Sequence, residues 1–213
     1  MKKKVLGYYN YTVILTYGGM LIAFYGILSA INQEFWNSIF CLMLAGICDM
    51  FDGTVAATKE RTASEKRFGI QIDSLSDLIC FGVLPAIFVY MYCEQNKYIG
   101  IVCALFVLCA LIRLSYFNVI EEERQNKTNE RRKTFNGVPV TTLALLLPIV
   151  YIVFETRIIR NILCFPIFLV LMGTGFLSTI EVKKPGVVGK TCIVVIGLFE
   201  MIAMFLFVGR KIV

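Results

Sequence analysis

The sequence predicts an all-α fold: a polytopic membrane helical bundle with a six-helix core and a seventh transmembrane helix. Three observations predict it. Of the 213 residues, 58% are hydrophobic and only 17% are charged, against about a quarter charged in a soluble domain. The mean hydropathy is +0.74. Seven apolar segments near span length follow one another. Lys and Arg gather in alternate connections between them. Residues 1–213 read as one integral membrane domain, and the same composition excludes disorder.

The first element is a basic, interfacial N-terminus over residues 1–11. It opens Met1-Lys2-Lys3-Lys4 and carries Tyr8, Tyr9 and Tyr11. The apolar run that follows continues to Ile31, so it reads as an uncleaved first span rather than a signal peptide. The seven spans are Thr12–Ile31, Phe35–Thr58, Phe68–Cys93, Ile99–Asn118, Val138–Phe154, Asn161–Ile180 and Thr191–Val208. The fifth is the shortest against the roughly 20 residues that cross hydrocarbon. All must be helical, because lipid leaves open backbone groups unsatisfied. Residues 12–180 form the core, and residues 189–213 hold the additional helix.

With the N-terminus inside, 16 of the 21 Lys and Arg fall on the inner side. This asymmetry places the Thr58–Arg67 and Val119–Gly137 loops in the cytoplasm. It makes the chain a multi-pass protein of the cell membrane. The net charge of +6 then reflects loops that meet anionic headgroups of the bilayer. No basic stripe interleaves with aromatics, so nucleic acid is excluded as a partner.

The chain has no His. That removes Ser-His triads, HExxH zinc sites and imidazole bases. Proton transfer falls to a carboxylate, Lys, Tyr or Cys. The eight Cys are scattered without a CxxC and read as small buried hydrophobes. Gly186-Val-Val-Gly189-Lys190-Thr191 resembles half a phosphate-binding loop. Its glycines are too close together and no parallel sheet can flank it.

The acids are not scattered. The chain has four Asp, and Asp49, Asp52, Asp73 and Asp77 all lie within 29 residues. Spacings of three and four place each pair on one helical face. The short connection makes the two helices antiparallel neighbours, so four carboxylates converge near the cytoplasmic surface. Each Asp within a span costs about 2.5–3.5 kcal/mol, and like charges repel. A hard divalent cation relieves both, and His-free oxygen ligation suits Mg²⁺, Mn²⁺ or Ca²⁺. Four Asp suffice to bridge two ions, a device for phosphoryl substitution. Gly53 and Gly69 flank the pairs and permit close backbone approach.

The stretch Asp49-Met-Phe-Asp52-Gly53-Thr-Val-Ala56, followed by Gly69-Ile-Gln-Ile-Asp73-Ser-Leu-Ser-Asp77, resembles the CDP-alcohol phosphotransferase signature. That signature reads D-x2-D-G-x2-A-R, then G-x3-D-x3-D. The resemblance implies exchange of CMP on a CDP-linked lipid for a second alcohol. It implies that Asp49, Asp52, Asp73 and Asp77 hold two ions of Mg²⁺ or Mn²⁺, with Asp77 as general base. It also implies that Asp49, Asp52, Gly53, Ala56 and Gly69 contact the nucleotide, and that the protein is a homodimer. One signature residue is absent: Ala57 stands where the family has Arg, and the gap from Ala57 to Gly69 is longer than the pattern's. Lys59, Arg61 and Arg67 are the candidates to grip the diphosphate instead.

Three further stretches are similar to the phosphatidylserine synthase branch. They are Ser74–Pro85, the Arg113–Asn118 stretch, and Gly137-Val-Pro139-Val-Thr141-Thr142. This likeness implies CDP-diacylglycerol and L-serine as substrates. Arg113 suits the serine carboxylate, since guanidinium binds carboxylate bidentately. Asn118 and Thr141 would add hydrogen bonds. Two alternatives stand: the same chemistry on glycerol 3-phosphate or inositol phosphate, and a divalent-cation transporter. A pore needs acids along a path across the membrane, and these four lie at one depth.

Overall fold

The computed structural model describes residues 7–127, 134–183 and 186–208. Lys2, Lys3, Lys4, Arg131, Arg132, Lys133, Lys184, Arg210 and Lys211, which enter the orientation count, lie outside the described residues. So do residues 1–6 of the expected interfacial N-terminus.

Within the described residues, seven helical rods occupy the seven expected positions. A single 3₁₀ turn, Tyr11–Val13, leads into α1 (Ile14–Ile31). Helix α2 covers Phe35–Ala56. The third rod runs from Ala63 to Tyr92 as α3 (Ala63–Asp77), a π-helical stretch (Leu78–Val83) and α4 (Leu84–Tyr92). Then come α5 (Lys97–Lys127), α6 (Leu143–Glu155), α7 (Cys164–Phe176) and α8 (Val187–Ala203). Four rods are long and apolar enough to cross a membrane, and three apolar helices are shorter. This is the architecture of a polytopic helical membrane protein. Side chains such as Leu21, Phe24, Leu105 and Phe199 are exposed on its flanks, where water would disfavour them and lipid does not.

Several boundaries differ from expectation, and at α3 and α5 polar residues give the reason. Helix α3 begins at Ala63, five residues before the apolar run. Thr62 and Glu65 form a capping box there: Glu65 N donates to Thr62 Oγ1 at 3.3 Å, and Thr62 N donates to Glu65 Oε2 at 2.9 Å. This satisfies two amides that the helix start would leave open. Helix α5 continues past Asn118 to Lys127. The polar extension Glu121-Glu-Glu-Arg124 consists of good helix formers, and Arg124 Nη2 pairs with Glu121 Oε1 at 2.6 Å. The expected loop is therefore helical for nearly its first half.

Helix α1 lies against α2 by means of small residues. Ala23 and Ala30 are fully buried. A Cβ on Gly26 would stand 2.8 Å from that of Cys41. Such stripes allow the close backbone approach by which helices associate in lipid. The π-helical turn precedes Pro85, which has no N–H to donate and would clash with a regular preceding turn.

Short connections make successive rods antiparallel. The α2–α3 turn, the α5–α6 connection and the α7–α8 connection therefore share one end, here the acidic end. Between the latter two, β1 (Thr134–Asn136) pairs antiparallel with β2 (Glu181–Lys183). Gly137 follows with φ +74°, and a Cβ there would meet the Phe176 carbonyl oxygen at 2.8 Å. Its N–H donates to Ile180 O at 2.8 Å, and that of Val138 to Gly175 O at 3.1 Å. Gly137-Val-Pro139 thus fastens the start of α6 to the end of α7.

At the far end, Phe35, Phe88, Tyr92, Tyr151, Phe154 and Phe165 form one cluster. Their ring centroids lie 4.8–6.2 Å apart. Tyr92 Oη donates to Glu155 Oε1 at 2.5 Å at the same end.

Candidate active site

Asp49 and Asp52 sit one turn apart on α2, and Asp73 and Asp77 one turn apart on α3. The antiparallel packing brings the pairs face to face. Asp49, Asp52 and Asp73 each offer one oxygen, all within 4.8 Å of one another. Asp77 is outside that group of three but lines the same cavity of about 10 Å³. That is room for about one water-sized body. Asp52 is buried and the other three are half-buried.

Helix α1 completes the wall. Thr16 Oγ1 donates to Asp52 Oδ2 at 2.9 Å. Ser76 Oγ, from between the two α3 acids, donates to the Thr16 carbonyl at 3.2 Å. Thr16 thus joins both acid-bearing helices. Sequence reasoning gave neither Thr16 nor Ser76 a role. The available signal was a hydroxyl inside an otherwise apolar span.

The ion pairs of Arg67 and Arg124 go to Glu122 and Glu121. Four carboxylates around a small cavity concentrate negative charge that a divalent cation would balance. The donor set is all oxygen and fits Mg²⁺ or Mn²⁺. These four residues would hold the metal, with Thr16 fixing the orientation of Asp52.

The cleft opens toward the acidic end between residues of small bulk. A Cβ placed on Gly53 would meet nothing within 4 Å. Ala56 follows one turn later on α2. Across the cleft, Gly69 lies one turn before Asp73. Arg61 Nη1 comes within 3.1 Å of the position a Gly69 Cβ would take. The N-terminal residues brace this turn. Tyr8 packs on Phe68 with centroids 5.3 Å apart, and Asn10 Nδ2 donates to Glu65 Oε1 at 3.4 Å. Tyr11 Oη meets Thr58 Oγ1 at 3.2 Å. Of the other basic candidates, Lys59 is exposed, and Arg67 lies 3.8 Å from Glu122 on the surface.

The three acceptor candidates are placed less uniformly. Asn118 reaches α3, where Ser74 Oγ donates to its Oδ1 at 2.7 Å. Asn118 Nδ2 in turn donates to Gln71 Oε1 at 3.4 Å. Its amide is thus held within one turn of Asp73. Arg113 is buried on α5, five residues earlier. Thr141 is half-buried in the 3₁₀ turn Val140–Thr142 before α6. Among the described residues it makes no hydrogen bond to the acids. The segment that resembled a phosphate-binding loop is instead the start of α8, with Gly186 as its N-cap.

Known proteins are similar to this chain in sequence. The model of the CDP-alcohol phosphatidyltransferase family matches residues 9–180. Over 123 residues the chain is 37% identical to the CDP-diacylglycerol--serine O-phosphatidyltransferase of Saccharomyces cerevisiae, covering 56% of this chain and 44% of that protein. It is 32% identical to the archaetidylserine synthase of Methanothermobacter thermautotrophicus over 70% of this chain and 61% of that protein. It is 30% identical to the CDP-diacylglycerol--serine O-phosphatidyltransferase of Bacillus subtilis, over 81% of this chain and 88% of that protein. The chain therefore spans about half the length of the first of these and less than two thirds of the second. The matched region contains α1 to α7, all four Asp and both flanking glycines, and the chain belongs to the CDP-alcohol phosphatidyltransferase family.

Proposed function

We propose that this protein moves the phosphatidyl group of CDP-diacylglycerol to L-serine, giving phosphatidylserine and CMP. The observation that carries the reading is the convergence of Asp49, Asp52 and Asp73 within 4.8 Å, with Asp77 on the same cavity. Family membership supports the chemistry, and the names of the relatives support the acceptor. When bound, a pair of Mg²⁺ or Mn²⁺ ions would neutralise the diphosphate and stabilise the leaving CMP.

The chain's residues divide the remaining work. Gly53, Ala56 and Gly69 leave room for the nucleotide beside the acids. Asp77, deepest along α3, takes the proton of the serine hydroxyl as that oxygen attacks the phosphatidyl phosphorus. The bond to the CMP oxygen then breaks in line. A His-free chain leaves a carboxylate as the natural base. Arg113 would receive the serine carboxylate, and Asn118 and Thr141 would orient its polar groups. The Lys and Arg asymmetry supports a cytoplasmic site in a membrane protein. The family resemblance supports a homodimer.

The test offers acceptors separately to the purified full chain with CDP-diacylglycerol and Mn²⁺. Serine should release CMP, while glycerol 3-phosphate and inositol phosphate should not. Release with one of the latter would keep the mechanism and move the acceptor. No release with any of them, from folded and metal-bound protein, would overturn the reading.

A further inference from the structure

The family signature places Arg directly after the position held here by Ala56, and this chain has Ala57 there. Ala57 is exposed and caps α2 with helical backbone angles, φ −78° and ψ −10°. A diphosphate beside four carboxylates needs positive charge from more than one side, so the missing guanidinium must be made good.

The geometry of the α2–α3 turn points to one residue. Arg61 lies within the turn, and its Nη1 lies 3.1 Å from where a Gly69 Cβ would stand. Gly69, Asp73 and Asp77 are spaced by four, so they share one face of α3, and Gly69 precedes Asp73 by one turn, about 6 Å. The Arg61 guanidinium therefore lies on the acid-bearing face, at the mouth of the cleft. It can lie there because residue 69 has no side chain. Opposite, the space beyond Gly53 is open. Arg61 is half-buried and forms no ion pair among the described residues. Arg67, by contrast, is next to Glu122.

We propose that Arg61 binds the diphosphate of a nucleoside diphosphate, replacing from the turn the guanidinium that Ala57 lacks on α2. This rests on the transferase reading above. A guanidinium offers a planar fork that matches phosphate oxygens, and it remains charged at any working pH. The longer turn supplies the reach, Gly69 the space, and the capping box at Thr62 fixes where the turn ends.

The experiment measures CDP binding to the purified full chain with Mn²⁺, beside Mn²⁺ binding without nucleotide. Arg61→Ala should weaken CDP binding about 10- to 100-fold, the loss expected for a hydrogen-bonded charge, and leave Mn²⁺ affinity within about twofold. Arg61→Lys should recover part of the loss, since a point charge keeps attraction without the fork. The decisive variant is Ala57→Arg added to Arg61→Ala, which should regain at least tenfold in CDP affinity. Wild-type affinity for CDP in Arg61→Ala, or a double variant no better than Arg61→Ala, would overturn the role of Arg61 alone. A wild-type chain that binds Mn²⁺ but no CDP would overturn the transferase reading, and this proposal with it.

Discussion

At the acidic end, α1, α2 and α3 meet through four carboxylates, two hydroxyls and a cavity of about 10 Å³. At the far end, α2, α4, α6 and α7 meet through six aromatic rings, with Phe88 and Phe165 essentially without exposure. Helix α2 and the rod formed by α3 and α4 thus change in chemistry along their length. Dense aromatic packing fixes their spacing where nothing needs to enter. Glycine, alanine and short polar groups leave space between them where the proposed ligand would approach. The carboxylates repel, so the acidic end holds its geometry only because the rest of each helix is anchored elsewhere.

Substitutions at the two ends should therefore fail differently. The largest effect belongs to Asp77→Asn, which removes the proposed base while preserving shape. Turnover should fall about 10²–10⁴-fold while the chain stays folded, its thermal midpoint no lower than wild type because one repelling carboxylate is gone. Persistent turnover would remove Asp77 from that role. Phe88→Ala should act in the opposite sense. It should cost about 3–5 kcal/mol of stability, as large-to-small changes in packed cores do, while molecules that stay folded keep their Mn²⁺ affinity. Loss of Mn²⁺ binding in folded Phe88→Ala would show that the two ends are not separable.

Smaller changes sharpen the contrast. Thr16→Val removes the donor to Asp52 and should lower Mn²⁺ affinity about 10- to 100-fold, the usual cost of losing a partner of a metal ligand. Thr16→Ser should stay near wild type, because the hydroxyl is what matters. Tyr92→Phe removes the hydrogen bond to Glu155 and should cost about 1.5 kcal/mol in denaturant unfolding. Its Mn²⁺ affinity should not move.

Much of the site was legible because it is local. Spacings of three and four in Asp49, Asp52, Asp73 and Asp77 already imply one face on each of two adjoining helices. The seven rods were legible because apolar run length decides a span. What escaped depends on contacts across the fold. Thr16 lies 36 residues from Asp52, and Ser74 lies 44 from Asn118. No periodicity reports such pairs. Helix ends escaped for a different reason: hydropathy stops at the membrane surface, and helices do not. Thr62-Ala-Ser-Glu65 is a readable capping box that marks the true start of α3. Asn118 looked terminal only because the apolar run ends there. Glu200 belongs to neither account: it is buried in α8, and its oxygens have no hydrogen-bond partner among the described residues.

The central claim is that the acidic end is a metal-assembled transfer site. Its most direct measurement follows the products of CDP-diacylglycerol and serine as metal is removed and restored. CMP and phosphatidylserine should appear in equal amounts with Mn²⁺, cease in EDTA and resume when Mn²⁺ is returned. Product formation that continues in EDTA, or CMP released without phosphatidylserine, would contradict it.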